Sequence, residues 1–436
     1  MNGLMNVLEK YLMPISAKLS SNRYLRAISN GFIAVMTANI VGSMFTLLGN
    51  LPIPAYTNWL AATGLNAVFA LPGAVTVSMI SLYAAFFIAY HLAKEYNSDG
   101  LGAGLISLIS FLMVTGTGTY FAAAAEGAAA VSAVSTEYLA AKGLFTAMIL
   151  ALITGRVYVW ILQKGWTIKL PDSVPPNVSN SFKTLIPGFI IITLWLIISS
   201  LMKLTPYGGL HQMIFGVIQS NLMRFMGNNL GAWIFFNIMT GLLWFFGLHG
   251  GNIVGSITNP IYTPLSLENL EVYMANPAAK MPNIFIGTPF TKAFTFGGVG
   301  SMMGLAILMV LFSKSQQMKT LGKLALPTTI FFINEPLLFG IPCVLNPIYF
   351  LPLLFLTSIQ GTLTYFVMKI GLIPIPHGVQ LPWTTPGIIH GFMQGGIMLA
   401  IWELLMILLS MVLWYPFFKI SDNQALLQEQ GEAQAE

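Results

Sequence analysis

An all-α polytopic membrane protein is the fold class this sequence predicts, and three observations predict it. Of its 436 residues, 56% are hydrophobic and only 8% charged, against roughly 25% charged in an ordinary soluble domain. Such a chain cannot clothe a water-facing surface. The apolar residues fall in runs of about 20, the length that crosses a bilayer as helix. The 19 Lys and Arg lie mostly between those runs, where they read as orientation signals, so the net charge of +5 is no nucleic-acid footprint. A soluble two-domain reading of the length is excluded.

Taken in order, residues 1–27 set Lys10, Lys18, Arg23 and Arg26 around Leu8, Leu12 and Ile15, the pattern of an amphipathic helix at the surface. No basic, apolar, small-residue cleavage pattern marks a removable signal peptide. Spans are expected at Ile28–Leu48, Ala67–Leu92, Leu101–Ala125, Leu139–Leu162 and Leu185–Leu204. Gly49–Asn66 lacks Lys and Arg, while Lys94, Arg156, Lys164, Lys169 and Lys183 cluster at the other ends of these spans. That asymmetry predicts a cytoplasmic N-terminus. Glu126–Thr136 reads as an external loop, and residues 163–183, with Pro171, Pro175 and Pro176, as an internal one.

His211–Met226 carries Ile214, Phe215, Ile218, Leu222 and Phe225 on one stripe, which suits a helix along the interface. The domain division therefore falls here: 1–204 as one domain, 205–228 as connector and 229–420 as a second domain, with a polar tail at 421–436 expected to be disordered and cytoplasmic. The second half has another texture. Ala232–Leu248 is a strong span, but fourteen of the 24 prolines then fall within 251–390. Discontinuous or re-entrant helices tolerate this and straight ones do not. Clear spans return at Ala293–Phe312, Ile348–Leu372 and Phe392–Phe417, with Lys314, Lys319 and Lys323 in a cytoplasmic loop. Something in 251–292 must cross or re-enter; in all the chain is expected to cross about 10 times.

Against this apolar background a few polar residues stand out. Glu335 sits in Phe-Phe-Ile-Asn-Glu-Pro (331–336). A charge near the bilayer centre costs on the order of 3 kcal/mol even on lenient insertion scales. Pro336 disfavours α conformation at the acid, so a helix break is expected there. The bland alternative is an acid paired to a Lys or an amide; the functional one is a polar site for a solute. His249 ends an apolar run as Trp244-Phe-Phe-Gly-Leu-His249-Gly250-Gly-Asn252. Its ring is suited to hydrogen-bond a hydroxyl or steady a phosphoryl oxygen, or else to cap its own helix. Gly250 allows close backbone approach. Trp244, and Trp383 in the irregular Pro374–Pro386 stretch, are candidate platforms for the C–H faces of a carbohydrate, whereas Trp59, Trp166 and Trp414 read as interfacial belt residues. His211, His377 and His390 lack acidic or Cys neighbours at ligand spacing and read as structural, and Glu403 as an acid paired within the bundle. The lone cysteine, Cys343, excludes an internal disulfide. There is no phosphate-binding Gly-Lys-Ser/Thr loop and no zinc pattern, so no cofactor and no metal is expected.

The Gly-His-Gly-like element around His249, the Asn-Glu-Pro element at 334–336 and the span layout together resemble component IIC, the membrane subunit of the bacterial sugar phosphotransferase system, in its lactose/cellobiose/diacetylchitobiose branch. The resemblance covers essentially the whole chain. It implies a permease in the plasma membrane, a homodimer whose N-terminal half is the dimer scaffold, and a C-terminal half with two re-entrant hairpins holding a β-linked disaccharide. It implies that the sugar is phosphorylated on its 6-hydroxyl by a phosphocysteine of a separate IIB subunit, and that Cys343 is not that cysteine. By the same resemblance Glu335 and His249 are the catalytic pair, and Asn334 and Asn252, with Trp383 by the character of its loop, contact substrate; Gly250 and Trp244 join the substrate contacts from the reading of their own motif. A proton-coupled sugar symporter with Glu335 as proton carrier is the rival from another class, and a membrane scaffold without substrate is a third.

Overall fold

The structure, a computed structural model, describes residues 14, 17–19, 21–50, 54–116, 118–121, 130–134, 136–168, 170–171, 182–341 and 343–433. Most of the expected surface helix in 1–27, and the loop positions Glu126 and Asp172, lie outside them. The chain divides into two compact units, one comprising Ser20–Gly49 with Ala55–Arg224 and the other Phe225–Glu436 with two short N-terminal pieces.

The first unit is built from α1 (Arg23–Gly49), α2 (Pro54–Thr63), α3 (Leu65–Thr76), α4 (Ile80–Glu95), α5 (Gly100–Thr115), α6 (Leu144–Gln163), α7 (Leu185–Lys203) and α8 (Leu210–Ile214). Its buried faces are rich in small residues. Ser81, Ala84, Ala85, Ala89 and Ala93 line α4, and Ala147, Ala151, Thr154 and Gly155 line α6. Lipid offers no hydrophobic drive between helices, so close packing and interhelical hydrogen bonds hold them instead. Ser107 accordingly donates to Ala85 O at 2.7 Å, and Trp195 Nε1 to Thr154 Oγ1 at 2.9 Å. Asp99 caps α5 by accepting from the N–H groups of Leu101 and Gly102.

The third span is shorter than expected. It ends at Thr115, where Gly116 turns left-handed (φ 78°), and an antiparallel ribbon follows, β1 (Gly118–Phe121) on β2 (Ala130–Ala133). The run of Ala, Gly and Tyr there was apolar enough to read as more helix. Apart from this ribbon, the described residues are helical or irregular. After α8 the helix continues through two π turns, Phe215–Gln219 and Met223–Gly227.

The second unit holds α9 (Leu230–Phe245), α10 (Gly250–Ala275), α11 (Thr288–Lys292), α12 (Met303–Phe312), α13 (Gln316–Ile330), α14 (Glu335–Gly340), α15 (Pro347–Lys369) and α16 (Gly387–Ala433). Three sequence expectations change here. First, Gly250–Ala275 is one continuous 26-residue helix in spite of Pro260 and Pro264, and the irregular part begins only at Asn276. Second, Lys319 and Lys323 lie on α13 rather than in a loop. Third, the expected disordered tail is helical through Ala433. Its acids have partners distant in sequence: Asp422 accepts from Ser313 Oγ and from the N–H groups of Lys314 and Ser315, and Glu429 from Ser315 Oγ (2.7 Å) and Gln317 N (2.8 Å). Two carboxylates thus hold the N-terminus of α13, where the helix dipole favours negative charge.

A large apolar cluster joins Trp244 and Phe245 of α9, Met302, Leu305 and Met309, Leu337 and Leu338 of α14, Cys343, and Tyr349 and Leu353 of α15 to Trp414 of α16. Trp414 is therefore core rather than interfacial belt, and its Nε1 donates to Gly300 O at 2.8 Å. Among the described residues six helical stretches are long and apolar enough to cross a membrane, and three shorter ones are apolar.

Candidate functional site

All the candidate catalytic and substrate-binding residues named from the sequence belong to the second unit. Glu335 opens α14, with Pro336 in its first turn. Proline lacks the N–H that a first turn leaves unpaired anyway, so Pro336 starts this helix rather than breaking one. The preceding helix, α13, ends five residues earlier at Ile330, and the chain turns at Phe332 with φ 66°. A left-handed aromatic residue is uncommon and strained. Ser301 (φ 52°) and Leu345 (φ 59°) share that conformation. Ser301 precedes the Met302 on which Asn334 rests, and Leu345 follows α14, so left-handed backbone concentrates around the Asn-Glu-Pro segment.

Asn334 is buried, 4% exposed, and its amide donates to Met302 Sδ at 3.5 Å. Gly298 (φ 73°) lies against it, and a Cβ there would stand 2.6 Å from Asn334 Cγ. Asn334 therefore packs inward and fixes the base of the turn that presents the half-buried Glu335.

His249 is exposed and forms the N-cap of α10. Its Nδ1 accepts from Asn252 N–H at 3.1 Å, which assigns the ring hydrogen to Nε2 and leaves that N–H free to donate outward. The bland alternative weighed above had the imidazole capping the helix before it; the ring instead caps the helix after it. Trp244, 7% exposed, lies under the ring with centroids 4.5 Å apart. It backs His249 from the core side. Gly250 is buried and packs so closely that a Cβ there would collide with Thr240 O.

The two motif segments meet through backbone. Leu345 N–H, just past α14, donates to Phe245 O at 2.9 Å, four residues before His249. Val344 packs on the Gly247 turn (φ 77°). With Trp244, Leu337 and Leu338 in one apolar cluster, the supports of His249 and Glu335 are a single packed body.

Trp383 is 56% exposed on the irregular strap between Ile373 and Pro386. Irregular backbone at membrane depth needs internal partners for its amides. Asn269 donates to Pro376 O (3.0 Å), Gln394 Nε2 to Val379 O (2.6 Å), and Gly378 N–H to Gln394 Oε1 (3.0 Å). A cavity of about 560 Å³ opens beside the strap, lined by Pro277, Lys280, Met281, Gly371, Ile375 and His377; neither Glu335, His249 nor Trp383 borders it.

Sequence reasoning missed Lys292. It is 5% exposed at the end of α11. Its Nζ donates to the carbonyls of Trp383 and of Thr385 (3.3 Å) and lies 4.0 Å from the centroid of the Phe332 ring. One buried cation thereby joins the Trp383 strap to the left-handed turn before Glu335. Near it, His390 Nδ1 and Glu403 Oε1 meet at 2.9 Å, both fully buried, and Glu403 Oε2 accepts from Gly391 N–H at 3.0 Å. The pair folds α16 back across the break at Gly395 and Gly396 (φ 69°). His377 is likewise structural, stacked on Tyr273 at 4.1 Å.

Apolar helices with ionisable side chains at interior helix starts, beside a strap whose amides are satisfied internally, define a polytopic membrane permease. The model of the family described as "Phosphotransferase system, EIIC" matches residues 29–357. The lichenan permease IIC component of Bacillus subtilis (strain 168) is 37% identical over 98% of this chain and 96% of its own. The cellobiose-specific EIIC component of Geobacillus stearothermophilus is 36% identical over 99% and 97%. The crystal structure of the transporter ChbC, the IIC component of the N,N'-diacetylchitobiose-specific phosphotransferase system, superposes with a TM-score of 0.90 at 35% identity, covering 98% of this chain and 99% of that one. The chain belongs to the EIIC family of the phosphotransferase system, as the paired motifs indicated.

Proposed function

We propose that this sugar permease of cellobiose/chitobiose type imports a β-linked disaccharide whose 6-hydroxyl is phosphorylated by a separate phosphorylated IIB subunit. The observation that carries the reading is the shared support of Glu335 and His249: two helix starts tied by the Leu345–Phe245 hydrogen bond and one apolar cluster. A hydroxyl is a poor nucleophile, and a carboxylate within hydrogen-bond reach orients it and takes its proton. Glu335 has that role. Phosphoryl transfer otherwise needs in-line positioning and neutralisation of oxygen charge, which the outward Nε2–H of His249 supplies. Gly250 and Asn252 give the backbone and amide beside that ring, and Trp383 the exposed face on which the sugar stacks. Asn334 and Trp244 act from behind, the first under Glu335 and the second under His249.

In this reading the shorter apolar helices bring the crossings to about 10 with two re-entrant hairpins, the first domain forms the homodimer scaffold, and both termini are cytoplasmic. The test is vesicles carrying the protein, with and without phosphorylated IIB inside, supplied with radiolabelled cellobiose. Sugar phosphate appearing inside only with the partner is the expected result. Free sugar accumulating on a pH gradient without the partner would establish the proton symporter instead.

A further inference from the structure

The first unit contains a cationic cluster that transport chemistry in the second unit does not use. Arg26 of α1 pairs with Glu95 at the end of α4. Tyr158 near the end of α6 donates to Asp99, the cap of α5, at 3.3 Å. One end of the unit therefore gathers the start of α1, the end of α4, the start of α5 and the end of α6. It carries Arg23, Arg26, Lys94, Arg156, Lys164 and Lys183, while the opposite end carries Lys142 and Lys203 among the described residues. At the centre lies Tyr96. Arg23 stands 4.5 Å and Arg156 5.1 Å from its ring centroid. Tyr24 reaches both Tyr96 and Arg156.

Among the described residues both acids nearby are engaged elsewhere. Glu95 pairs with Arg26, and Asp99 accepts from Leu101, Gly102 and Tyr158. Arg23 and Arg156 make no ion pair among the described residues. Two guanidinium groups on one ring repel each other, and among the described residues Arg156 Nη1 is shut from water with no acceptor. An unpaired guanidinium N–H is among the costliest groups to leave unsatisfied, so the arrangement lacks an anionic oxygen. The surroundings indicate its source. Ile153 and Trp160, three residues before and four after Arg156 and so on its face of α6, are exposed apolar side chains, and Trp160 meets exposed Trp166 edge-on at 5.2 Å. Exposed tryptophans mark the boundary between headgroups and acyl chains.

We propose that Arg23, Arg156, Tyr24 and Tyr96 form a site for the phosphodiester headgroup of an anionic phospholipid in the leaflet at the basic end of this unit. The guanidinium of Arg23 receives the phosphate from the water side. A small turn of the Arg156 side chain brings its unpaired nitrogen to the same oxygens, and the tyrosine hydroxyls donate beside them. The acyl chains run down past Trp160 and Ile153.

The test uses the full-length protein purified in a neutral detergent. Its melting temperature is followed as phosphatidylglycerol, phosphatidylcholine or inorganic phosphate is titrated in. Phosphatidylglycerol should raise the melting temperature saturably and the other two should not. Arg23→Gln and Arg156→Gln should each weaken the phosphatidylglycerol midpoint about fivefold, the factor expected for one basic residue near an anionic surface. Lys142→Gln, at the opposite end, should leave it unchanged. If Arg156→Gln does not fold, Arg23→Gln, whose side chain is exposed, carries the test. Equal response to phosphatidylcholine, an unchanged midpoint in Arg23→Gln, or an equal loss in Lys142→Gln would overturn the site. A shift reproduced by inorganic phosphate alone would overturn its assignment to lipid.

Discussion

Replacing Lys292 by Met tests how the proposed sugar platform, Trp383, is held. The side chain is almost fully buried, and its ammonium serves the carbonyls of Trp383 and Thr385 and the face of Phe332. Hydrogen bonds from a charged donor contribute about 1.5–3 kcal/mol each, and an orphaned buried carbonyl costs about 1–3 kcal/mol. The ring contact adds about 0.5–2 kcal/mol. Against these stands relief from burying an ammonium, several kcal/mol in a dry setting. Met fills the volume without the charge, so the net loss is about 2 kcal/mol, and it falls on the strap and the Phe332 turn rather than on the whole core. Disaccharide affinity should drop about thirtyfold, since 1.4 kcal/mol is tenfold. Lys292→Arg, which can fork between two carbonyls, should recover most of it. The assay is equilibrium binding of radiolabelled cellobiose to purified protein for Lys292→Met, Trp383→Ala and the double variant. If Lys292 acts through Trp383, the double variant loses little beyond either single change. Fully additive losses, or Lys292→Met binding within about threefold of the parent, would refute the coupling.

Other expectations follow from the same geometry. Glu335→Gln should lower sugar phosphorylation by IIB at least about 100-fold, the lower range of general-base effects, while binding persists; phosphorylation at the parent rate would remove the base role. His249→Asn retains an N-cap acceptor for α10 but lacks the Nε2–H, so its melting temperature should match the parent while phosphorylation slows about tenfold or more. A matched fall in both would make His249 a cap alone. Asp422→Ala strips the acceptor from Ser313, Lys314 and Ser315, and should cost about 1–3 kcal/mol, read as a lowered melting temperature; an unchanged value would show that water replaces it.

The parts of the fold legible in sequence are those where an apolar run decides the matter. α1 and α7 coincide with their expected spans to within a few residues because nothing inside them competes. α10 was not legible. Asn259-Pro260 and Pro264 argue for a break, yet the helix runs through both prolines, as helices do where the protein around them tolerates the freed carbonyls. The tail looked disordered from its Gln and Glu content, and its ordering depends on N–H groups at 314–317 that no local pattern connects to Asp422 and Glu429. In the candidate site, the Asn-Glu-Pro and His-Gly-Gly segments were found because a lone ionisable residue in an apolar stretch is itself a signal. Their orientation was not: Pro336 begins a helix, and Trp244 faces the core. Lys292 escaped notice because its partners are backbone carbonyls, which every residue carries, and a ring forty residues away.

The carboxylates of Asp422 and Glu429 make the last turns of α16 a brace against α13, and α13 is the rod whose far end leads through Phe332 to Glu335. Force applied at the carboxyl end of the chain, whether by a docking protein or by a bulky tag, would be transmitted along that rod to the acid. Reporter groups placed beyond Ala433 should thus perturb turnover more than groups of equal size hung on the Pro54–Thr63 segment, although both lie outside the described core of the site.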